Sequence, residues 1–327
     1  VIKNNKVIRT LIGGYVLLKI EEIEYLGWEA YRLENKYLSI VILPKVGGRI
    51  ISFSNKEDEI LYTAPNLQGM TLDLLEVDNI KEYREKFKYI ALGGYKTWLS
   101  PQSNWDWPPY LDLELGSYKC TYHHSEDKIK VNLISPICRE SKMQLTRTIV
   151  LERDSYSLKI GQGMKNCSLE NKECGLWDVT QIADNGQVIL PISSFKKIKN
   201  LIDTDGTEGI KVLEVNEELY AIINCFGDKM FKIGTDFSAG WVLAIIDKGD
   251  KRLGYLKRFP IFEGANFGHG CAVEIFDISN YNYFEIEVHG PLSELLPEEE
   301  YGFVEEWELY SWDNQMTIKD IIKKLVY

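Results

Sequence analysis

Apolar and polar residues alternate along most of this chain, and strict alternation sends successive side chains to opposite faces of a strand. The pattern is clear over residues 37–43, 128–133, 143–151 and 156–164. Met143, Leu145, Ile149 and Leu151 are expected to share one face, and Tyr156, Leu158 and Ile160 another. The polar stretches 152–155 and 247–251 carry the turn residues that hairpins use. Two segments break the period of two. Residues 78–91 place Ile80, Tyr83, Phe87 and Ile90 at helical spacing, and 317–326 do so with Ile318, Ile321, Ile322 and Leu325, predicting two short amphipathic helices without chemistry of their own. Gly161-Gln162-Gly163 lacks a third glycine and lies in alternating surroundings, so it reads as strand rather than as a dinucleotide turn.

The late segment YNYFEIEVHGPLSELLPEEEYGFVEEWEL, residues 281–309, carries the most chemistry. Alternation turns Phe284, Ile286 and Val288 into a core and predicts that Glu285, Glu287 and His289 line a concave surface together. Gly290-Pro291 ends that strand, and Pro297 with Glu298 to Glu300 makes a turn before a second alternating segment through Trp307 and Leu309. A solvated face would give the same alternation, so the row gains meaning from what stands upstream. That is GGYKTWLSPQSNWDWPPYLDLE, residues 93–114, where Lys96, Trp98, Gln102, Trp105 and Trp107 follow a glycine pair. Aromatic faces stack on the C–H patches of a sugar ring while amides and charges bind its hydroxyls. Trp98 reads as core, whereas Trp105 and Trp107 suit either a core corner or a sugar. Gly47-Gly48 and Gly93-Gly94 let the backbone turn sharply, which predicts that Arg49, Lys96, Gln102, Trp105, Trp107 and Trp177 converge on one groove near Glu287. Gln181, on the segment GLWDVTQI with Trp177, joins the binding candidates.

These blocks, with LPKVGGRIISFS at 43–54, carry a resemblance. In order along residues 35–312 the chain resembles an uncharacterised bacterial family within the galactose mutarotase-like (aldose 1-epimerase-like) superfamily. Such members read as a proline-to-GGRI strand pair, a GG-x-K-x-W-x-x-P-Q segment followed by W-x-W-P-P, and an E-x-E-x-x-G-P-L strand ending in a W-x-L strand. The resemblance implies an all-β fold, one large antiparallel β-sandwich (the supersandwich) over residues 1–327 with minor short helices and a sugar-binding groove across one sheet. It also implies acid/base mutarotation, in which a base takes the anomeric proton while an acid protonates the ring oxygen. The superfamily's base is a glutamate on a late strand, which Glu287 matches best, with Glu285 as the neighbouring alternative. Its acid is a histidine at the position that here holds Trp177, and an indole cannot donate that proton. His289 and His269 are the candidates for a displaced acid. His123-His124 sits in a polar, turn-like stretch and reads as exposed. A non-catalytic carbohydrate-recognition protein is the competing expectation. Hydrolysis by Glu285 and Glu287 is discounted, because they project side by side and would not flank a bond.

Composition narrows the partners. A net charge of −11 and a pI near 5.1 argue against nucleic acid or an anionic membrane surface. A small carbohydrate is the expected ligand, and the oligomeric state is left open. No apolar run approaches a membrane span. The six cysteines lack a C-x-x-C pair, which indicates neither zinc nor a redox motif. No metal site or cofactor is expected, although scattered loop acids would hold a calcium ion without leaving a motif. There is no phosphate loop, H-E-x-x-H or G-x-S-x-G. VIKNNKVIRT lacks a secretory core and suggests the cytoplasm, while the chain starts without Met.

Overall fold

The computed structural model describes residues 18–326 except 184, 203, 205, 237–238 and 279–280, together with two short backbone pieces at 11–12 and 15–16. Nearly all described strands enter two long antiparallel sheets. The first runs, neighbour by neighbour, through Lys199–Asn200, Phe231–Thr235, Val273–Asp277, Tyr283–His289, Lys172–Ala183, Tyr95–Ser100, Arg49–Ser54, Ser39–Leu43, Trp28–Asn35 and Leu18–Tyr25, with Ser293–Leu295 paired to the start of the fifth. The second runs through Lys211–Val215, Glu218–Cys225, Gly186–Ile192, Trp241–Asp247, Lys251–Arg258, Glu300–Asp313, Ser157–Asn166, Met143–Glu152, Lys128–Ile134 and Lys119–His124. Inward-facing residues of both sheets make one main core, in which Ile40, Phe53, Ile286 and Val288 meet Val131, Ile149, Leu158 and Val188. Phe284 is buried there too, as its place in the alternation predicts.

Both expected hairpins are present, joining Met143–Glu152 to Ser157–Asn166 and Trp241–Asp247 to Lys251–Arg258. Gly161-Gln162-Gly163 is strand. The helix expected over 78–91 is shorter, covering Ile80–Lys86. Asn79 caps it by accepting from the Glu82 N–H, and Phe87 turns extended at its end, so Ile90 falls outside. The last helix is Ile318–Val326 and buries Ile321 and Ile322 against Ile189 and Leu243 of the second sheet. Tyr156 does not share the buried face of Leu158 and Ile160. It precedes the strand, is 61% exposed and stacks on Tyr37 at 3.7 Å between ring centroids. His123 and His124 end the edge strand Lys119–His124 rather than forming a turn; His123 is exposed, but both ring nitrogens of His124 are buried.

The interior is not purely apolar. Asp178 and Thr180 point between the sheets, because Trp177, Val179 and Gln181 take the opposite face of the same strand. Lys257, across the core, donates to Asp178 and, at 2.8 Å, to Thr180 Oγ1. Its ammonium lies 3.3 Å from Glu305 Oε2, whose other oxygen accepts from the Tyr95 hydroxyl (2.6 Å) and Gln162 Nε2 (2.9 Å). Buried charges are tolerated only when paired and hydrogen-bonded, and this cluster meets that condition.

Candidate functional site

The outward face of the first sheet holds a grid set by register. Val179 pairs with Glu287 on one side and Lys96 on the other. One row along, Trp177 lies between His289 and Trp98. In the opposite direction Gln181 pairs with Glu285 and donates its backbone N–H to the Gly94 carbonyl. Two strand spacings separate Glu287 and Lys96, about 9.6 Å at Cα, with the short apolar Val179 as the floor between them. Glu274 pairs with Glu287 on its far side, and Lys232 stands one strand further out.

Expectation and structure agree on which face these groups share, and differ on exposure. Glu285, Glu287, His289, Lys96, Trp177 and Gln181 are all buried. An aromatic cap closes over them. Trp98 meets Trp177 edge-on at 4.9 Å between centroids, Trp105 lies 6.3 Å from Trp177, and Trp107 packs on Tyr89 at 4.7 Å. Trp98 and Trp105 are buried, whereas Trp107 is 48% exposed. Glu114 organises the underside of the cap, accepting from Trp98 Nε1 at 2.6 Å and from Arg49 Nη2 at 2.6 Å. Arg49 also donates to the Gly93 carbonyl, so it braces the turn before Lys96 instead of reaching into the groove. Gln102 contributes its backbone, donating to His269 Nε2 at 3.1 Å.

Three groups that sequence reasoning missed sit at the centre: Lys232, Glu274 and Glu114. The Lys232 ammonium lies 2.9 Å from Glu287 Oε2 and 2.8 Å from Glu274 Oε2, with the Trp177 ring 4.7 Å away. Trp177 Nε1 donates to Glu287 Oε2 at 2.6 Å. Burial pushes the Glu287 carboxyl up to about 8, with the neighbouring carboxylates Glu274 and Glu285 adding to the rise and Lys232 opposing it. Lys232 itself is raised: burial works against its charge, and the two carboxylates it shares more than offset that. Glu274 is held well below the usual range, since His289, Lys232 and His269 together outweigh its burial. Burial lowers Lys96, against the pull of Glu285 and Glu114.

His269 and His289 both turn to Glu274. His269 Nδ1 lies 2.9 Å from Glu274 Oε1, and His289 Nε2 lies 3.1 Å from the same oxygen. The three ligand-type atoms fall within 4.8 Å of one another, near enough to be tested against a metal ion. The fit is poor. The Gln102 N–H donates to His269 Nε2, so the ring proton of neutral His269 resides on Nδ1, facing the carboxylate. A metal on Nδ1 would then require an imidazolate, and Lys232 already supplies Glu274 with a cation.

Among the described residues, the buried polar atoms on this face without a hydrogen-bond partner include Lys96 Nζ, Gln181 Oε1, Glu287 Oε1 and Tyr89 OH, together with Glu274 Oε2 and both ring nitrogens of His289 beyond Glu287. Buried polar atoms are seldom left unpaired, so a group of them on one face marks where a hydroxylated ligand would complete the bonding.

The sequence matches no family model and no curated protein. Solved structures do match in three dimensions. A galactose mutarotase-like protein from Clostridium acetobutylicum is 13% identical, covering 90% of this chain and 99% of its own, with a TM-score of 0.55. The chain has the galactose mutarotase-like fold. A candidate aldose 1-epimerase from Klebsiella pneumoniae is 13% identical over 94% of this chain and 88% of that one, at a TM-score of 0.57. A TPR-domain containing protein from Parabacteroides distasonis is 16% identical at a TM-score of 0.53; the match covers 89% of this chain and only 48% of that protein's length.

Proposed function

We propose that this protein binds a sugar or modified sugar on the Glu287 face and interconverts its anomers in the manner of an aldose 1-epimerase, with Glu287 taking the anomeric proton. The supporting observation is the set of unpaired buried atoms around Val179, above all Glu287 Oε1, on a carboxyl whose other oxygen is anchored by Trp177 and Lys232. A carboxyl raised toward the working pH exchanges protons readily, which suits a group that must take a proton and return it. Fresh α-anomers of several aldoses, followed by polarimetry or NMR beside calorimetric binding, test the reading. Glu287→Gln should lose about 10²- to 10⁴-fold in equilibration rate, the usual worth of a positioned base, while sugar binding survives because the amide still bonds hydroxyls. Catalysis that persists in this variant would move the role to Glu285. A second reading, a carbohydrate-recognition protein without catalysis, draws on Trp177, whose indole is clamped to Glu287 where the resemblance implies an acid histidine. Binding without acceleration by the unmutated protein would select it.

A further inference from the structure

Of the histidines expected to replace the missing acid, both turn to Glu274 and lie on the Glu274 side of Glu287, and only His289 keeps a ring nitrogen, Nδ1, with neither a hydrogen bond nor an ion-pair contact among the described residues. His269 has no free nitrogen, since Nδ1 faces the carboxylate and Nε2 accepts from the Gln102 backbone. His289 stacks on Trp177 at 5.3 Å between centroids and directs Nε2 to Glu274, on the side of Glu287 away from the Val179 floor. Lys96 lies on the opposite side of that floor. Its side chain is 3% exposed, its ammonium makes no hydrogen bond among the described residues, and Glu285 Oε1 lies 3.8 Å away, beyond bonding distance. The Trp98 ring 5.0 Å away supports the cation without consuming any of its protons.

We infer that Lys96 is the general acid that protonates the ring oxygen, facing Glu287 across Val179; this rests on the mutarotase reading. In the forward step the Glu287 carboxylate removes the proton from the anomeric hydroxyl, and C1=O1 forms as the C1–O5 bond breaks. The released electron pair stays on O5, which takes a proton from the Lys96 ammonium. The aldehyde turns about C1–C2. On reclosure O5 attacks the other face of C1 and returns its proton to the Lys96 amine, while O1 recovers the proton held by Glu287. No further reactant is needed. The charged groups facing Lys96 are Glu285 of the Glu287 strand, Glu114 below the cap, Arg49 of the neighbouring strand and Glu287 itself, a set that allows the proton to move from Lys96 to Glu287 without changing the net charge of the site.

The experiment compares unmutated protein, Lys96→Met and Lys96→Ala by anomer equilibration, calorimetric sugar binding and thermal melting. Lys96→Met is expected to lose at least about 100-fold in rate while binding its sugar within about tenfold. Lys96→Ala is expected to regain rate with added ammonium or methylammonium, above the rate these ions produce without protein, following the acidity of the added ion. Such rescue would not follow from a merely structural lysine. If the unmutated protein equilibrates anomers and Lys96→Met does so equally well, or if the loss in Lys96→Ala resists both ions while the fold and binding persist, the assignment of Lys96 is overturned and the mutarotase reading stands. If the unmutated protein accelerates no aldose, the mutarotase reading falls, and Lys96 as its acid falls with it.

Discussion

The Trp177 indole shows how one residue sets the chemistry of another. It donates to Glu287 Oε2, covers the Lys232 ammonium and stacks on His289, so three ionisable groups depend on one ring. A hydrogen bond to the charged form of a carboxyl favours that form. Trp177→Phe keeps the packing face and deletes the donor. The Glu287 carboxyl should then rise further, moving the acid limb of the equilibration rate to higher pH. Lys232 still pairs with Glu287, so the stability loss should be about 1.5–3 kcal/mol, the scale of one charged hydrogen bond, read by urea denaturation. An acid limb that stays in place would mean that Lys232 alone sets the carboxyl. The same residue marks a limit of reading from sequence. The sequence places this tryptophan at the groove, and only the partner strand, more than a hundred positions away, shows what its N–H meets.

At the scale of elements, the site depends on how the strand that carries Lys96 and Trp98 is launched. Gly93 holds φ +108° and Gly94 φ +72°, a region that side chains adopt at a cost, and a Cβ on Gly93 would run into the Tyr62 carbonyl oxygen. Gly93→Ala should therefore cost more than about 2 kcal/mol, combining backbone strain with the clash, and weaken sugar binding through displacement of Lys96. Denaturation and calorimetry would measure the two effects, and a stability unchanged within about 0.5 kcal/mol would contradict the tight approach. The glycine pair was visible in sequence because glycine has few other reasons to be doubled before a strand. Alternation likewise showed that Glu285, Glu287 and His289 share a face, since a period of two admits no other arrangement in a strand. It could not show their burial, because the covering rings of Tyr89, Trp98, Trp105 and Trp107 come from a separate stretch whose loops have no period. Glu274 and Lys232 left a fainter signal. Each is a charge flanked by apolar neighbours in a short strand, and pairing Val273–Asp277 with Tyr283–His289 would have set Glu274 beside Glu287.

Across the whole molecule, two ionic layers lie on opposite faces of the first sheet: the Glu287 layer outside, and the Asp178, Lys257 and Glu305 layer between the sheets. The inner layer has one lysine for two carboxylates. Burial pushes Asp178 up to about 8, with Glu305 adding to the rise and Lys257 opposing it. The consequence for stability has a definite sign. Between the unfolded value of about 3.9 and the folded one, the native state holds a proton that the unfolded chain has lost, so stability falls as pH rises through this window and levels off above it. The slope for one such group is at most about 1.4 kcal/mol per pH unit. Glu287 contributes with the same sign, but it faces the other side of the sheet, so the two are separable by mutation. Asp178→Asn imitates the protonated form and leaves Glu305 to pair Lys257. It should leave stability near pH 5 almost unchanged and flatten the decline toward pH 8, making the variant the more stable protein at the alkaline end. Urea midpoints at several pH values between 5 and 8 would show this, and parallel curves for the two proteins would mean that Asp178 is ionised throughout and shares Lys257 with Glu305 as a full ion triad.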